Sequence, residues 1–170
     1  MHAYCLFCET QKCKSIATLI ERTQGIRCIS PEIIQRKWTK GTCEEVRHLW
    51  LPGYIFLYPE EPIIEPLHIP GIIRILGDGE LKGSDLVFAN MLYEHDGVIS
   101  IIHLTKEGQH CIIDHPLWQK IEGKVIKMDR GRKRCCVEFV FNQVRRTVWL
   151  GYELVKPIQG EEYNGKQQYF

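Results

Sequence analysis

The sequence Leu51-Pro52-Gly53-Tyr54-Ile55-Phe56-Leu57-Tyr58 joins a tight turn to an almost unbroken apolar run. Because proline fixes φ at about −65° and glycine accepts a positive φ, Pro52 and Gly53 predict the central positions of a type II turn. The residues that follow are aromatic or aliphatic, too few for a helix and rich in β-formers. We expect this strand in the middle of a sheet, with helices on one face and the other face either covered or open to a partner.

Charge is divided unevenly along the chain, although the formal net charge is only +1. Residues 1–107 hold 11 Lys/Arg and 14 Asp/Glu, whereas residues 108–157 hold 10 Lys/Arg and 5 Asp/Glu. A basic second half is typical of proteins that bind polyanions, although an ordinary solvated surface has the same composition.

The hydropathy and cysteine patterns predict a soluble, cytoplasmic protein. The N-terminal residues lack the pattern of a secretory signal, and no apolar run approaches the ~18 residues of a transmembrane helix. The eight cysteines fall largely inside periodic apolar segments, where they act as small apolar side chains of a reduced protein. We expect no metal and no cofactor.

Residues 1–97 predict an α+β sandwich with a mainly antiparallel sheet and helices packed on it. A second Pro-Gly turn, Pro70-Gly71, repeats the turn-and-strand pattern, and Thr39-Lys40-Gly41-Thr42 joins two strands into a hairpin with a basic tip. The predicted strands are 3–8, 26–29, 33–38, 46–51, 54–58 and 72–76; the predicted helices are 12–23, ended by Gly25, and 85–94, capped by Ser84.

Residues 108–158 predict a small five-stranded β-barrel, because about 50 residues in short strands protect their edges only by curling. Alternation of apolar and polar residues is clearest over 134–141. We place a linker at 98–107, although its β-rich residues 98–104 also fit an edge strand, and a flexible tail at 159–170. The predicted strands are 109–113, 124–129, 134–141, 145–150 and 153–155.

These motifs, in this order, resemble the NusG family of transcription elongation factors. Leu51 to Phe56 is similar to the turn and strand of the family's N-terminal (NGN) domain, and Pro70-Gly71-Ile72 to its Pro-Gly-Val element. Glu107-Gly108, His115-Pro116-Leu117 and Glu122-Gly123-Lys124-Val125-Ile126 are similar to its KOW domain. The resemblance covers nearly the whole chain and implies an NGN-type sandwich and a KOW-type barrel in a monomeric protein that is not an enzyme.

Three departures from the family pattern indicate a specialised paralogue. Ala3 stands where Trp is common, Leu51 replaces Phe, and residues 59–67 are shorter and richer in proline than the family's second helix. That helix contacts the polymerase across the DNA channel, so the second contact is in question here. The basic KOW-type half is similar to the RNA-reading antitermination factors called LoaP.

The resemblance implies a site for RNA polymerase on the NGN sheet, where an apolar depression receives the tip of the clamp coiled coil of the largest subunits. Strand alternation independently places Tyr54, Phe56 and Tyr58 on one face. The residues that match the lining of the depression are Phe7, Leu51, Pro52, Tyr54, Phe56 and Leu76.

Basic residues of the second half predict binding to a structured RNA, expected to be a hairpin near the transcript exit. Guanidinium groups suit phosphates and guanine edges, and helical RNA is recognised largely by its shape and backbone. Strand alternation puts Arg145 and Arg146 on opposite faces, so the charges do not all join one patch. The candidates are Lys120, Lys124, Lys127, Arg130, Arg132, Lys133, Arg134, Arg145 and Arg146.

Two other functions stay open. An ordinary NusG-type factor would use its KOW domain to bind ribosomal or termination proteins. A thiol-redox or zinc protein would be built on Cys5 and Cys8, but positions i and i+3 of a strand face opposite sides and no second Cys-x-x-Cys occurs in the sequence.

Overall fold

The computed structural model describes residues 2–63, 67–107, 110–114, 118 and 120–155. Its fold is mixed α and β, with few helices and mostly strands in several sheets, including a curled half-barrel. The elements are β1 (Tyr4–Cys8), α1 (Cys13–Gln24), β2 (Arg27–Ile29), β3 (Glu32–Thr39), β4 (Thr42–Leu49), β5 (Tyr54–Tyr58), β6 (Ile72–Glu80), α2 (Gly83–Glu94), β7 (Val98–Ile99), β8 (Ile102–Glu107), β9 (His110–Ile113), β10 (Lys124–Asp129), β11 (Arg134–Phe141) and β12 (Val144–Val155).

The first sheet has the order β2-β5-β1-β6 with antiparallel neighbours, so the predicted central position of β5 is confirmed. One face of this sheet packs against α1, whose Ile16 and Ile20 share a core with Ile55 and Leu57. The helix ends as predicted at Gly25, which has a φ of 67°.

The Pro52-Gly53 turn has the predicted type II features. The Tyr54 N–H donates to the Leu51 carbonyl at 3.1 Å, and Gly53 has a φ of 91°. The Gly53 carbonyl accepts a hydrogen bond from the Cys8 N–H at 2.7 Å. This turn is therefore fixed against the end of β1.

Glycine is required at position 53 for two independent reasons. Its positive φ disfavours other residues, and a Cβ there would lie 3.0 Å from both the Cys8 carbonyl oxygen and Cε2 of Phe7. The second Pro-Gly turn also closes on β1, since the Gly71 carbonyl accepts a hydrogen bond from the Glu9 N–H at 2.9 Å.

The predicted hairpin is formed by β3 and β4, which build a separate sheet of order β4-β3-β7. Its two-residue tip, Lys40 and Gly41, has φ values of 49° and 84°. The stretch 98–104 is divided between two strands: β7 pairs in parallel with β3, and β8 pairs in parallel with β12. The predicted linker thus contributes strands to two different sheets.

The second sheet has the order β10-β11-β12-β8-β9. The predicted strands 124–129 and 134–141 match β10 and β11, whereas one continuous strand, β12, replaces the predicted pair at 145–150 and 153–155. The helix α2 begins at Gly83 after Lys82 as N-cap, without a side-chain cap hydrogen bond, so the predicted Ser84 cap is wrong.

Aromatic residues join the two halves of the chain into one core. The ring of Trp50, which directly precedes the Leu51–Tyr54 turn, lies 5.3 Å from Phe88 of α2, 5.2 Å from Phe139 of β11 and 6.3 Å from Trp118, as measured between ring centroids. All four side chains are buried. The second sheet therefore shares its core with α2 and the first sheet.

Several sequence-based predictions lie outside the described residues: Gly108, His115-Pro116-Leu117, the tail at 159–170, and residues 64–66 of the proline-rich segment. Within the described part, no helix has the length and apolar character needed to span a membrane.

Candidate partner-binding surfaces

The face of the first sheet opposite α1 carries Tyr54, Phe56 and Tyr58, as strand alternation predicts; we call it the aromatic face. Phe56 is fully buried, and its ring lies 5.8 Å from that of Phe88 in α2. The Tyr58 hydroxyl donates to the Ala89 carbonyl at 2.7 Å, and burial raises the pKa of Tyr58. Helix α2 thus covers one end of the aromatic face.

The second sheet covers much of the rest. Phe141 lies 5.6 Å from Phe56 and 6.1 Å from Tyr54 between ring centroids. Arg146 Nη2 donates to the Tyr54 hydroxyl at 2.8 Å, with its guanidinium carbon 5.1 Å from the Tyr54 ring centroid. The sequence predicted that this face is either covered or open to a partner. In the structure, other parts of the same chain cover it.

The residues predicted to bind polymerase differ in accessibility. Leu51, Phe56 and Leu76 are buried, Phe7 and Tyr54 are half-buried, and Pro52 is exposed. The Phe7 and Tyr54 rings lie 5.1 Å apart. A partner can reach this site directly only at the rim formed by Phe7, Pro52 and Tyr54.

The basic residues of the second half are centred on the loop between β10 and β11; we call residues 130–134 the basic turn. Asp129 organises it, because Oδ1 accepts the Arg132 N–H and Oδ2 accepts the Arg134 Nε–H, each at 3.1 Å. The hydrogen bond from the Arg132 N–H is the main cause that lowers the pKa of Asp129, and Arg134 adds to it. The predicted hairpin loop is therefore present and well ordered by hydrogen bonds.

Arg145 and Arg146 point in different directions, as predicted. The Arg145 side chain is 80% exposed and lies 3.4 Å from Glu138, whereas Arg146 is half-buried against Tyr54. Among the described residues, no acceptor lies within hydrogen-bonding distance of the buried Arg146 Nε. The structure thus separates Arg146 from the exposed cations.

The other candidates occupy exposed positions around the sheet. Lys124 and Lys127 lie on the edge strand β10, opposite Glu138 and Cys136 of β11. The residues predicted to bind RNA that are exposed or half-buried, apart from Arg146, are Lys120, Lys124, Lys127, Arg130, Arg132, Lys133, Arg134 and Arg145.

The hairpin β3–β4 leans against β12, a contact that the sequence did not predict. Gln35 Nε2 donates to the Trp149 carbonyl at 2.6 Å, and Arg36 forms an ion pair with Glu153. This contact lowers the pKa of the Glu153 carboxyl, chiefly through the hydrogen bond from Arg36. The basic tip of the hairpin is thereby brought to the same side as the basic turn.

Sequence reasoning missed Trp50 and Phe88, which connect the two halves. A signal for Phe88 was available, because Phe88, Met91 and Leu92 have the i, i+3, i+4 spacing of an inward helix face. Trp50 directly precedes the Leu51–Tyr54 turn, but no periodic pattern of apolar residues around it distinguishes it from an exposed strand residue.

The cysteines of the Cys5-Leu6-Phe7-Cys8 segment belong to different cores, as strand alternation predicts. Cys5 packs on the side of the aromatic face and Cys8 on the side of α1. Burial raises the pKa of both thiols, that of Cys8 to about 12, which disfavours the nucleophilic thiolate. In the part of the chain that the structure describes, no three His, Cys, Asp or Glu residues are grouped as metal ligands.

A scan against protein-family models finds no match for this chain, and a search of the curated proteins finds none either.

Proposed function

We propose that this protein is a non-enzymatic transcription elongation or antitermination factor of the NusG type, which binds RNA polymerase with its aromatic face and an RNA hairpin with its basic second half. The observation that supports this best is the turn at Pro52-Gly53. This turn places Phe7, Pro52 and Tyr54 at the accessible rim of the aromatic face. The second sheet covers the rest of that face, and one of its contacts there is the hydrogen bond from Arg146 to Tyr54.

For the polymerase, the proposed ligand is the clamp coiled coil of the largest subunits. Burying one aromatic anchor contributes ~1.5–3 kcal/mol, so two or three anchors make a useful interface. The rim supplies Phe7 and Tyr54 without rearrangement, whereas Phe56 becomes available only if the second sheet moves away. The second sheet is held there by Phe141, by the Arg146–Tyr54 hydrogen bond, and by the Asn142 N–H, which donates to Asp85 Oδ1 at 2.9 Å.

For RNA, the proposed site is the basic turn and the neighbouring strands. Among the described residues, Arg130, Arg132 and Lys133 form no ion pair, so their charges are available to phosphates. A ribosomal or termination protein is the alternative ligand of this half.

The polymerase part is tested by measuring binding of the full chain to a clamp coiled-coil fragment. We expect Tyr54→Ala to weaken binding at least about tenfold, because it removes a rim anchor. Leu19→Ala is the matched control, since Leu19 is exposed on α1, on the opposite side of the first sheet. Unchanged affinity of a folded Tyr54→Ala variant would refute this part.

The RNA part is tested by titrating the full chain with a structured RNA hairpin over a salt series. Phosphate contacts make the logarithm of the binding constant fall linearly with the logarithm of the salt concentration. Absent or salt-independent binding contradicts the RNA part, and selective capture of a ribosomal or termination protein favours the alternative.

A further inference from the structure

We propose that Trp38, near the tip of the hairpin β3–β4, is a stacking platform for an unpaired base of an RNA strand that lies along the basic turn. This inference rests on the proposed RNA-binding function and specifies its ligand, a strand or loop with unpaired bases. It also assigns part of the RNA site to the first half of the chain.

The hairpin is fixed in position against the second sheet. Gln35 and Arg36 attach it to β12 through the Trp149 carbonyl and the Glu153 carboxylate. Gly151 of β12 also faces this hairpin, since a Cβ there would lie 3.7 Å, an ordinary contact distance, from the Ile34 carbonyl oxygen. A platform built on this hairpin is therefore held in a fixed orientation toward the basic turn.

Trp38 extends from this anchored region into solvent. It follows Arg36 by two residues and so lies on the same face of β3, and it is 51% exposed. Nζ of Lys133, from the basic turn, lies 6.0 Å from the centroid of the Trp38 ring. A cation from the second half thus lies over one face of a large apolar ring from the first half.

The charges around the ring are mixed but mainly positive: Glu45 of β4 lies opposite Arg36 on the same face as Trp38, and the cations outnumber the carboxylates. The nearby carboxylate of Glu153 is paired with Arg36, and Asp129 is paired with Arg134. Arg130, Arg132 and Lys133 form no ion pair within 4.0 Å among the described residues. Lys40 adds a cation at the exposed hairpin tip.

An aromatic ring combined with cations that follow the backbone is the arrangement used to bind single-stranded nucleic acid, because every base has a face that stacks. In a regular duplex the bases are already stacked on each other. The ring therefore distinguishes an unpaired strand or loop from a duplex, whereas the cations bind both.

The test uses the full chain, a short oligouridylate, and a blunt RNA duplex of the same length, with affinity measured by fluorescence anisotropy at one salt concentration. We expect Trp38→Ala to weaken oligouridylate binding about tenfold and duplex binding less than about twofold. Trp38→Phe should retain most of the affinity. Lys133→Ala should weaken binding of both RNAs, because it removes a phosphate contact.

Matched controls separate stacking from loss of structure. Leu49→Ala removes another exposed apolar side chain of the same hairpin, 46% exposed, and Lys14→Ala removes an exposed cation of α1; both should leave the two affinities unchanged. A circular-dichroism melt verifies that each variant is folded. Tryptophan fluorescence gives a second readout, since quenching by oligouridylate should be smaller in Trp38→Phe.

The outcomes distinguish this inference from the proposed function. If the protein binds both RNAs and Trp38→Ala changes neither affinity, the platform is refuted and the RNA function stands. Binding of the duplex alone also refutes the platform and leaves the RNA function standing. If the protein binds neither RNA and no structured hairpin, both proposals fail.

Discussion

Arg146 of β12 donates a hydrogen bond to the Tyr54 hydroxyl of β5 at 2.8 Å and lies over the Tyr54 ring. One residue of the second sheet therefore contacts one of the aromatic side chains that the sequence predicts to bind polymerase. Its guanidinium is also 5.9 Å from the Phe141 ring centroid, so the cation lies between two aromatic rings of the same contact.

Replacing Arg146 should loosen the second sheet. We expect Arg146→Ala to lower the free energy of unfolding by about 1 kcal/mol, because a half-buried hydrogen bond is lost while an incompletely satisfied Nε is also removed. Hydrogen exchange should rise in β5 and β11. Arg145→Ala is the control and should cost less than about 0.5 kcal/mol, since its pair with Glu138 is exposed. Equal effects of the two changes in urea unfolding would contradict the assignment.

Phe56 and Tyr54 should respond differently to substitution. Phe56→Ala removes a fully buried ring packed against Phe88 and Phe141, and we expect it to cost about 3–5 kcal/mol in unfolding free energy. Tyr54→Phe keeps the ring and loses only the hydroxyl, so it should cost about 1 kcal/mol. Denaturant unfolding checks both values. A loss below about 1 kcal/mol for Phe56→Ala would show that the ring is not part of the core.

The Pro-Gly turn should tolerate substitution less than the hairpin tip does. Gly53 and Gly41 both have a positive φ, but only Gly53 is crowded, by the Cys8 carbonyl and the Phe7 ring. We therefore expect Gly53→Ala to cost clearly more than Gly41→Ala, whose cost is limited to backbone strain of about 1 kcal/mol. Thermal melts of the two variants measure the difference, and similar melting temperatures would mean that the contacts at β1 relax easily.

Stability should fall at alkaline pH because of buried thiols. Burial raises the pKa of Cys8 and Cys135 from an ordinary 9.0 to about 12. Between these values the unfolded chain releases protons that the native chain retains, so this stabilisation is complete below pH 9 and is lost as the pH rises toward 12. We expect the urea midpoint to fall between neutral pH and about pH 10.5, and to fall less in Cys135→Ala. An identical slope in this variant would exclude the thiol as a cause.

The sequence predicted correctly those turns, strands and helix ends that are determined by residues close together in the chain. The turn at Pro52-Gly53, the central strand β5, the end of α1 at Gly25 and the alternating strand β11 all follow from φ preferences or a clear period. Spacing alone does not decide burial: Leu19 follows the buried Ile16 of α1 by three residues, yet it is 44% exposed.

The contacts between the halves could not be predicted, because they depend on residues far apart in the chain. Nothing near Trp50 indicates a partner at Phe139, and nothing near Gln35 indicates the Trp149 carbonyl. The same limit applies to the candidate sites. Alternation predicted that Arg145 and Arg146 diverge, but only the packing against Tyr54 decides that Arg146 is the one facing inward.

The residues of the shared aromatic core are synthesised at different times. Trp50 and Phe88 are made well before Phe139 and Phe141, the residues that cover them and Phe56. At roughly 5–20 residues per second, a ribosome needs several seconds to complete the intervening chain. During this interval Trp50, Phe56 and Phe88 have been synthesised but the rings of β11 that cover them have not, so the aromatic face is least covered in chains still on the ribosome.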